Sequence, residues 1–167
     1  MKIGILSDTH NHLAEARHAL DLLLHHDVNH LVHCGDAGED VIDLVSATCQ
    51  SRGIRAHVAL GNCDRFQNDT LRFAPHPAGV DIGERLAFEL EGLPCTVLHG
   101  HREAELDLLA ASGQFAYIFT GHTHRRLDEQ IGRTRILNPG SCARPRGGPA
   151  TVLLLDPASG KTDWLVL

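Results

Sequence analysis

Apolar residues along this chain fall into short runs separated by polar turns. Residues 2–7 predict a buried strand of the parallel type. From about residue 12 to residue 25, Leu13, Ala16, Leu20, Leu23 and Leu24 recur at helical spacing. Residues 29–33 predict a second strand, Val41, Ile42, Leu44 and Val45 a second helix, and residues 54–60 a third strand. That order makes two βαβ units, whose crossovers should be right-handed. Between residues 65 and 83 the periodicity is broken by Pro75, Pro77 and Gly79, predicting a surface excursion with a short helix or a lid role. Strand character returns over 85–89 and 93–98, a helix follows over 103–111, and another strand over 115–120. The remainder predicts strands at 126–131, 134–137, 151–155 and 162–167, joined by turns such as Ile131-Gly132-Arg133 and Pro157-Ala158-Ser159-Gly160, so the C-terminal part should be rich in antiparallel pairs.

No solenoid repeat or low-complexity linker divides the pattern, and 167 residues of which 43% are hydrophobic suit one compact domain over 1–167. The apolar start is too short for a signal peptide, and no run approaches the ~18 residues of a membrane span. A cytoplasmic protein without a membrane partner is expected. Five cysteines, an odd number with no Cys-x-x-Cys pair, argue against a disulfide framework and a structural zinc site.

Net charge is −6 and aromatic content only 4%, which excludes a general nucleic-acid binder with a broad basic, stacking surface. The charge is uneven, with Arg125, Arg126, Arg133, Arg135, Arg144 and Arg146 gathered between residues 121 and 150. They are either a local patch for an anionic substrate or solvated charges on hairpin strands.

Polar residues with metal-binding side chains directly follow the predicted strands. Asp8 and His10 follow the first, Asp36 the second, Asn62 the third, His99 the fifth, and His122 and His124 the sixth. Carboxyl ends of strands are where sites form in open α/β sheets, because loops from neighbouring strands converge there. A single Asp-x-His or His-x-His carries little weight among 13 histidines, but the ordered set of seven does. A carboxylate can bridge two cations, and Asp36 is the candidate; Asp8, His10 and His124 would complete one site, and Asn62, His99 and His122 the other. Mixed nitrogen and oxygen donors without thiolate suit Mn, Fe, Co, Ni or Zn better than Ca or an all-oxygen Mg site. Two such ions ~3.5–4 Å apart can share a water and present it as hydroxide to a phosphoryl group. Gly35, Gly61, Gly100 and Gly121 beside the ligands fit sharp turns or close backbone approach.

With Asp8-Thr9-His10, Gly35-Asp36, Gly61-Asn62, His99 and Gly121-His122-Thr123-His124, the chain resembles the calcineurin-like metallophosphoesterase superfamily. The narrower runs Ser7-Asp8-Thr9-His10, Gly61-Asn62-Cys63-Asp64, Leu98-His99-Gly100-His101 and Asn138-Pro139-Gly140-Ser141 with Pro145-Arg146 are similar to its small bacterial and archaeal phosphodiesterases of the YfcE type. The resemblance implies an α/β fold, a four-layer αββα sandwich of two mixed sheets flanked by helices. It also implies hydrolysis of phosphodiesters by attack of a metal-bridging hydroxide, supported by two divalent transition-metal ions, manganese foremost with Ni, Fe, Co or Zn as alternatives. A small-molecule or nucleotide-like diester is the expected substrate, and a homo-oligomer is compatible. Catalytic positions would be Asp36, Asn62, His99 and His101, with Asn11 and Arg146 contacting substrate. Cys63 stands where phosphatases of the superfamily place a leaving-group histidine, which favours diesters over alkyl monoesters; it reads as packing beside the site, and Asp64 as support for Asn62. The alternatives are a phosphomonoesterase of the same fold or a protein-interaction scaffold like the retromer subunit, the latter disfavoured because all seven ligand positions keep competent donors.

Overall fold

The computed structural model describes residues 1–66 and 79–167. Strand β1 (Ile3–Leu6) is buried throughout because both of its faces are covered, Ile3 and Ile5 by a second sheet and Leu6 by helices. It pairs in parallel with β2 (His30–His33), which pairs in parallel with β3 (Arg55–Ala59). The connecting helices are α1 (Leu13–His25) and α2 (Glu39–Arg52). Ala16, Ala19, Leu20 and Leu23 recur at three- and four-residue steps and form the buried stripe of α1, as Val41, Ile42, Val45 and Cys49 do in α2. Both stripes pack on Leu31, Val58 and their neighbours on the outer face of this sheet.

The excursion predicted between residues 65 and 83 ends in a strand the periodicity did not reveal, β4 (Val80–Gly83), parallel to β3. Four residues flanked by Gly79 and Gly83 are too few to show an alternating pattern, and the strand is fixed by Val80 and Ile82 entering the core beneath the helices. The helix or lid expected there falls largely on residues 67–78, outside the described residues.

The second sheet is built from β5 (Arg85–Leu90), β6 (Leu93–Leu98), β7 (Tyr117–Phe119), β8 (Arg126–Ile131) and β9 (Thr134–Pro139), in the order β5-β6-β7-β9-β8. Strands β10 (Thr151–Asp156) and β11 (Lys161–Val166) return to the first sheet, which runs β11-β10-β1-β2-β3-β4. Each sheet is mixed: the first is antiparallel from β11 to β1 and parallel from β1 to its β4 edge, and the second has parallel strands at its centre and an antiparallel pair at each margin. Ile5, Val32, Val97, Phe119, Leu137 and Leu153 fill the space between the sheets. Helix α3 (Glu103–Ser112) covers the outer face of the second sheet, seating Ala110 on Leu98, Ile118 and Ile136. The layers are therefore helix, sheet, sheet, helix. No helix among the described residues is long and apolar enough to cross a membrane.

Candidate metal centre

The loops after β1 and β2 extend the strand pairing beyond the strands themselves. Backbone N–H groups of Asp8, His10 and Asn11 donate to the carbonyls of Gly35, Asp36 and Ala37 at 3.0, 2.8 and 2.8 Å. Beneath this ladder His33 is buried, its Nδ1 accepting from Gly35 N at 3.2 Å, so that its Nε2–H donates to Thr9 Oγ1 at 3.0 Å. Thr9 in turn donates to the Ala37 carbonyl at 3.0 Å. Burial, with the charge of His99 adding to it, pushes His33 down to about 3, so the imidazole holds the two loops as a neutral strut. The loop after β3 enters through close backbone approach: a methyl group on Gly61 would overlap Asp36 Oδ1.

Onto this frame the structure brings Asp8, His10 and His124 together, their donor atoms within 4.8 Å of one another, and likewise Asp8, Asp36 and His99. His124 Nε2 faces Asp8 Oδ1 at 3.2 Å and His10 Nε2 at 3.3 Å, and His99 Nε2 faces Asp36 Oδ2 at 3.3 Å. The other nitrogens of the two central rings are committed: His99 Nδ1 donates to the Cys34 carbonyl at 2.9 Å and His124 Nδ1 to the Arg144 carbonyl at 2.5 Å. Each Nε2 is thereby turned toward a carboxylate, the arrangement that orients imidazoles in metal sites. Asp8 Oδ1, His99 Nε2 and Asn62 Oδ1 are buried without a hydrogen-bond partner. Buried polar atoms are normally satisfied, so these converging orphans fit a divalent cation.

The electrostatics agree with that fit. Burial raises Asp8, although Ser7, His99 and His124 oppose it. Burial would also raise Asp36, but the His99 imidazole facing it and the Cys63 N–H donating to it at 2.8 Å outweigh that and hold it well below the carboxylate range. His99 is raised against the effect of its own burial by Asp36 and Asp8. Two carboxylates held out of water among imidazoles are a setting that a bound cation would suit.

The sequence profile of the calcineurin-like phosphoesterase superfamily domain matches residues 1–160. The chain belongs to that superfamily. It is 31% identical to phosphodiesterase MJ0936 of Methanocaldococcus jannaschii over 100% of its own length and 99% of that protein's. A solved archaeal phosphodiesterase superposes with a TM-score of 0.80 at 27% identity over 100% of both chains. The E. coli phosphoesterase YfcE shares the fold, with a TM-score of 0.68 at 23% identity over 99% of each chain. Superfamily membership makes the chain a hydrolase of phosphoric esters and implies divalent metal ions, which the donor groups described above could hold.

The remaining predicted residues of this phosphoesterase are placed less uniformly. Asn62, Cys63 and His122 line a cavity of about 530 Å³ together with His10, Asp36 and Arg146. His122 enters none of the three-residue donor groups, the third of which joins His10, Asp36 and Cys63; its backbone N–H donates to Asp8 Oδ2 at 3.2 Å and its ring meets that of His99 edge-on at 5.1 Å. His101 lies beside these two rings, 5.6 Å from His99 and 6.3 Å from His122 between centroids. Asn11, expected to contact substrate, has its amide committed to α2: Nδ2 donates to Asp40 Oδ2 at 2.8 Å and Oδ1 accepts from Asp40 N at 3.0 Å. Asp64 supports the backbone around the ligands, accepting from Gly61 N at 2.7 Å, Ala37 N at 3.3 Å and Gly38 N at 3.0 Å. Burial and the adjacent Asp36 push the Cys63 thiol up to about 11.

The arginine group divides. Arg135 pairs with Asp128 at 2.6 Å on the β8–β9 hairpin, whereas Arg144 and Arg146 line the cavity. Sequence reasoning missed His33, Ser141 and Asn138 as positioning residues. Ser141 Oγ donates to the Asp8 carbonyl at 2.9 Å and Asn138 Nδ2 to the Gly121 carbonyl at 2.7 Å. The Asn138-Pro139-Gly140-Ser141 run was visible, but what it touches depends on β9 lying beside β7.

Proposed function

We propose that residues 1–167 form one domain that hydrolyses phosphodiesters with two divalent transition-metal ions, manganese foremost. Asp8, His10 and His124 would hold one ion, Asn62, His99 and His122 the other, and Asp36 would contact both. The observation that carries this reading is the orientation of His99 and His124, each locked through Nδ1 to a backbone carbonyl with Nε2 turned onto a carboxylate. When bound, the ions would supply charge neutralisation at the phosphoryl oxygens and an acidified water as nucleophile.

The chain's own residues define the rest. The ladder through Asp8, His10 and Asn11, with His33 beneath it, keeps the ligand loops in register, so the reacting phosphoryl group meets a preorganised site. Burial and the charge of His99 lower His122, leaving it neutral near pH 7, and the Cys63 thiol at about 11 lies far above the near-neutral range in which a general acid is effective. Leaving groups that depart without a protein acid are therefore favoured, which selects diesters with activated, aryl-type leaving groups over alkyl monoesters. The archaeal relative named as a phosphodiesterase supports the same choice.

The test is steady-state hydrolysis of an aryl phosphodiester and the matching monoester by chelator-stripped protein titrated with Mn, Ni, Zn and Mg. Metal-dependent turnover with the diester preferred is expected, falling about 100-fold or more in Asp36→Asn, the scale of losing one transition-state charge stabiliser. Folded protein that stays silent with every metal removes the enzymatic reading.

A further inference from the structure

Two cavities meet at the donor cluster. The larger, about 530 Å³, runs past Asn62 and His122 to Arg144, Pro145 and Arg146. The smaller, about 290 Å³, runs past Asn11, Gly38 and Asp64. Their common wall is His10, Asp36, Cys63 and Arg144. A phosphoryl group held there has two exits, one for each arm of a diester.

The exits differ in charge: Arg144 borders both, whereas Arg146 lines only the larger and Asp64 only the smaller. Arg144 and Arg146 project from a loop in a chain whose net charge is −6, and neither guanidinium makes a hydrogen bond or ion pair among the described residues. Arg55, Arg85, Arg102 and Arg135, by contrast, each face a carboxylate. The loop is anchored to a proposed ligand. Arg144 supplies the carbonyl that accepts from His124 Nδ1 at 2.5 Å, and Arg146 N donates to the His124 carbonyl at 3.0 Å. Ser141 Oγ accepts from Arg144 N at 2.9 Å. Two uncompensated guanidiniums on a braced loop, beside a centre whose own charges are directed at cations, are suited to a further anion that they can engage bidentately.

We propose that the larger lobe is a subsite for a second phosphate, so that the substrate, on the phosphodiesterase reading given above, is a diester with one phosphorylated arm. Arg144 and Arg146 recognise that arm and set specificity, and the smaller lobe takes the uncharged arm.

The experiment is calorimetric binding of thymidine 3′,5′-bisphosphate and thymidine 5′-phosphate to the manganese-loaded protein, with bis(p-nitrophenyl) phosphate hydrolysis recorded on the same preparation. The bisphosphate should bind at least about tenfold more tightly, as expected for an added charge-assisted contact. The double variant Arg144→Ala, Arg146→Ala should bring the two affinities together, and Arg146→Lys should keep part of the difference. The main-chain bonds to His124 and Ser141 remain in these variants, and an unchanged melting temperature verifies their folding. Equal affinities in the wild-type protein, or a difference that survives in the double variant, overturns the subsite. Absent hydrolysis with the affinity difference intact removes the phosphodiesterase reading and leaves the anion subsite standing.

Discussion

Asp8, His10, Asp36, His122 and His124 all have left-handed backbones, with φ of 54°, 46°, 51°, 65° and 59°. Such conformations are uncommon outside glycine and are held only where surrounding bonds determine them. Asp64 is one of the residues that determines them, because its carboxylate takes three backbone N–H groups from the two loops that carry Asp36 and Asn62. Asp64→Ala leaves those buried donors without an acceptor, at a cost of about 1–3 kcal/mol. The melting temperature should fall by about 2–4 °C for each kcal/mol lost, and manganese affinity by about 10–100-fold. An unchanged melting curve would show that water replaces the carboxylate there. Away from the site, His30 and His57 stack with Phe88 between the sheets, at ring separations of 5.9 and 3.8 Å from it, with Arg55 and Asp81 the charged groups that bear on them. Burial, then His57 and Arg55, push His30 down to about 4, and burial lowers His57 despite the Asp81 carboxylate 3.2 Å away. The unfolded chain binds the His30 proton from about pH 6.5 downward, so stability is complete above that pH and falls as pH drops toward 4. The full loss from His30 is about 3 kcal/mol. Denaturant midpoints at pH 7 and 4.5 should differ less in His30→Leu than in the wild-type protein.

The strands that precede the donor side chains were legible because burial on both faces leaves continuous apolar runs, and the polar donors stand out where such a run stops, as Asp8 does after β1 and His99 after β6. Strand β4 was not legible, since only its neighbours make Val80 and Ile82 core residues. The same holds for Asn11, which reads as a substrate contact until α2 is seen to start beside it with Asp40 in reach. His33 is neutral and buried, and its bond to Thr9 joins residues 24 apart and leaves no local signal. The segment between β9 and β10 shows most clearly what connectivity adds. Ser141 Oγ accepts from Ala143 N and Arg144 N while donating to the Asp8 carbonyl, which joins this segment to the first ligand loop. Ser141→Ala therefore loosens the carbonyl that orients His124 without disturbing the core. Manganese affinity should drop about tenfold, while the folded state loses about 1 kcal/mol, the net worth of one or two hydrogen bonds. A Ser141→Ala protein that binds manganese as tightly as the parent would show that His124 is oriented by its own loop alone.

Two mixed sheets packed face to face give this chain a rigid edge on which donor side chains from both can meet, Asp8, His10, Asp36 and Asn62 from one and His99, His122 and His124 from the other. The arrangement concentrates cost at that edge, where left-handed backbones, carboxylates that burial opposes and the orphaned Asp8 Oδ1, Asn62 Oδ1 and His99 Nε2 lie together. Whatever binds there as a cation relieves several of these costs at once, so binding and folding must be coupled. At a free manganese concentration one hundred times its dissociation constant, one site adds about 2.7 kcal/mol to the folded state. For a chain of this length that is a rise in melting temperature of about 5–10 °C. Asp36→Asn removes the carboxylate common to both proposed ion positions, so its melting temperature should respond weakly to manganese. Without added metal the variant should be less stable than the parent at pH 7, because the folded state holds Asp36 ionised against His99 and the Cys63 N–H and the amide gives up that stabilisation. Melting curves of the two proteins with and without manganese decide the matter. A parent protein whose melting temperature is indifferent to metal would mean that the orphaned atoms are satisfied by water and that the strain at this edge has no cation to relieve it.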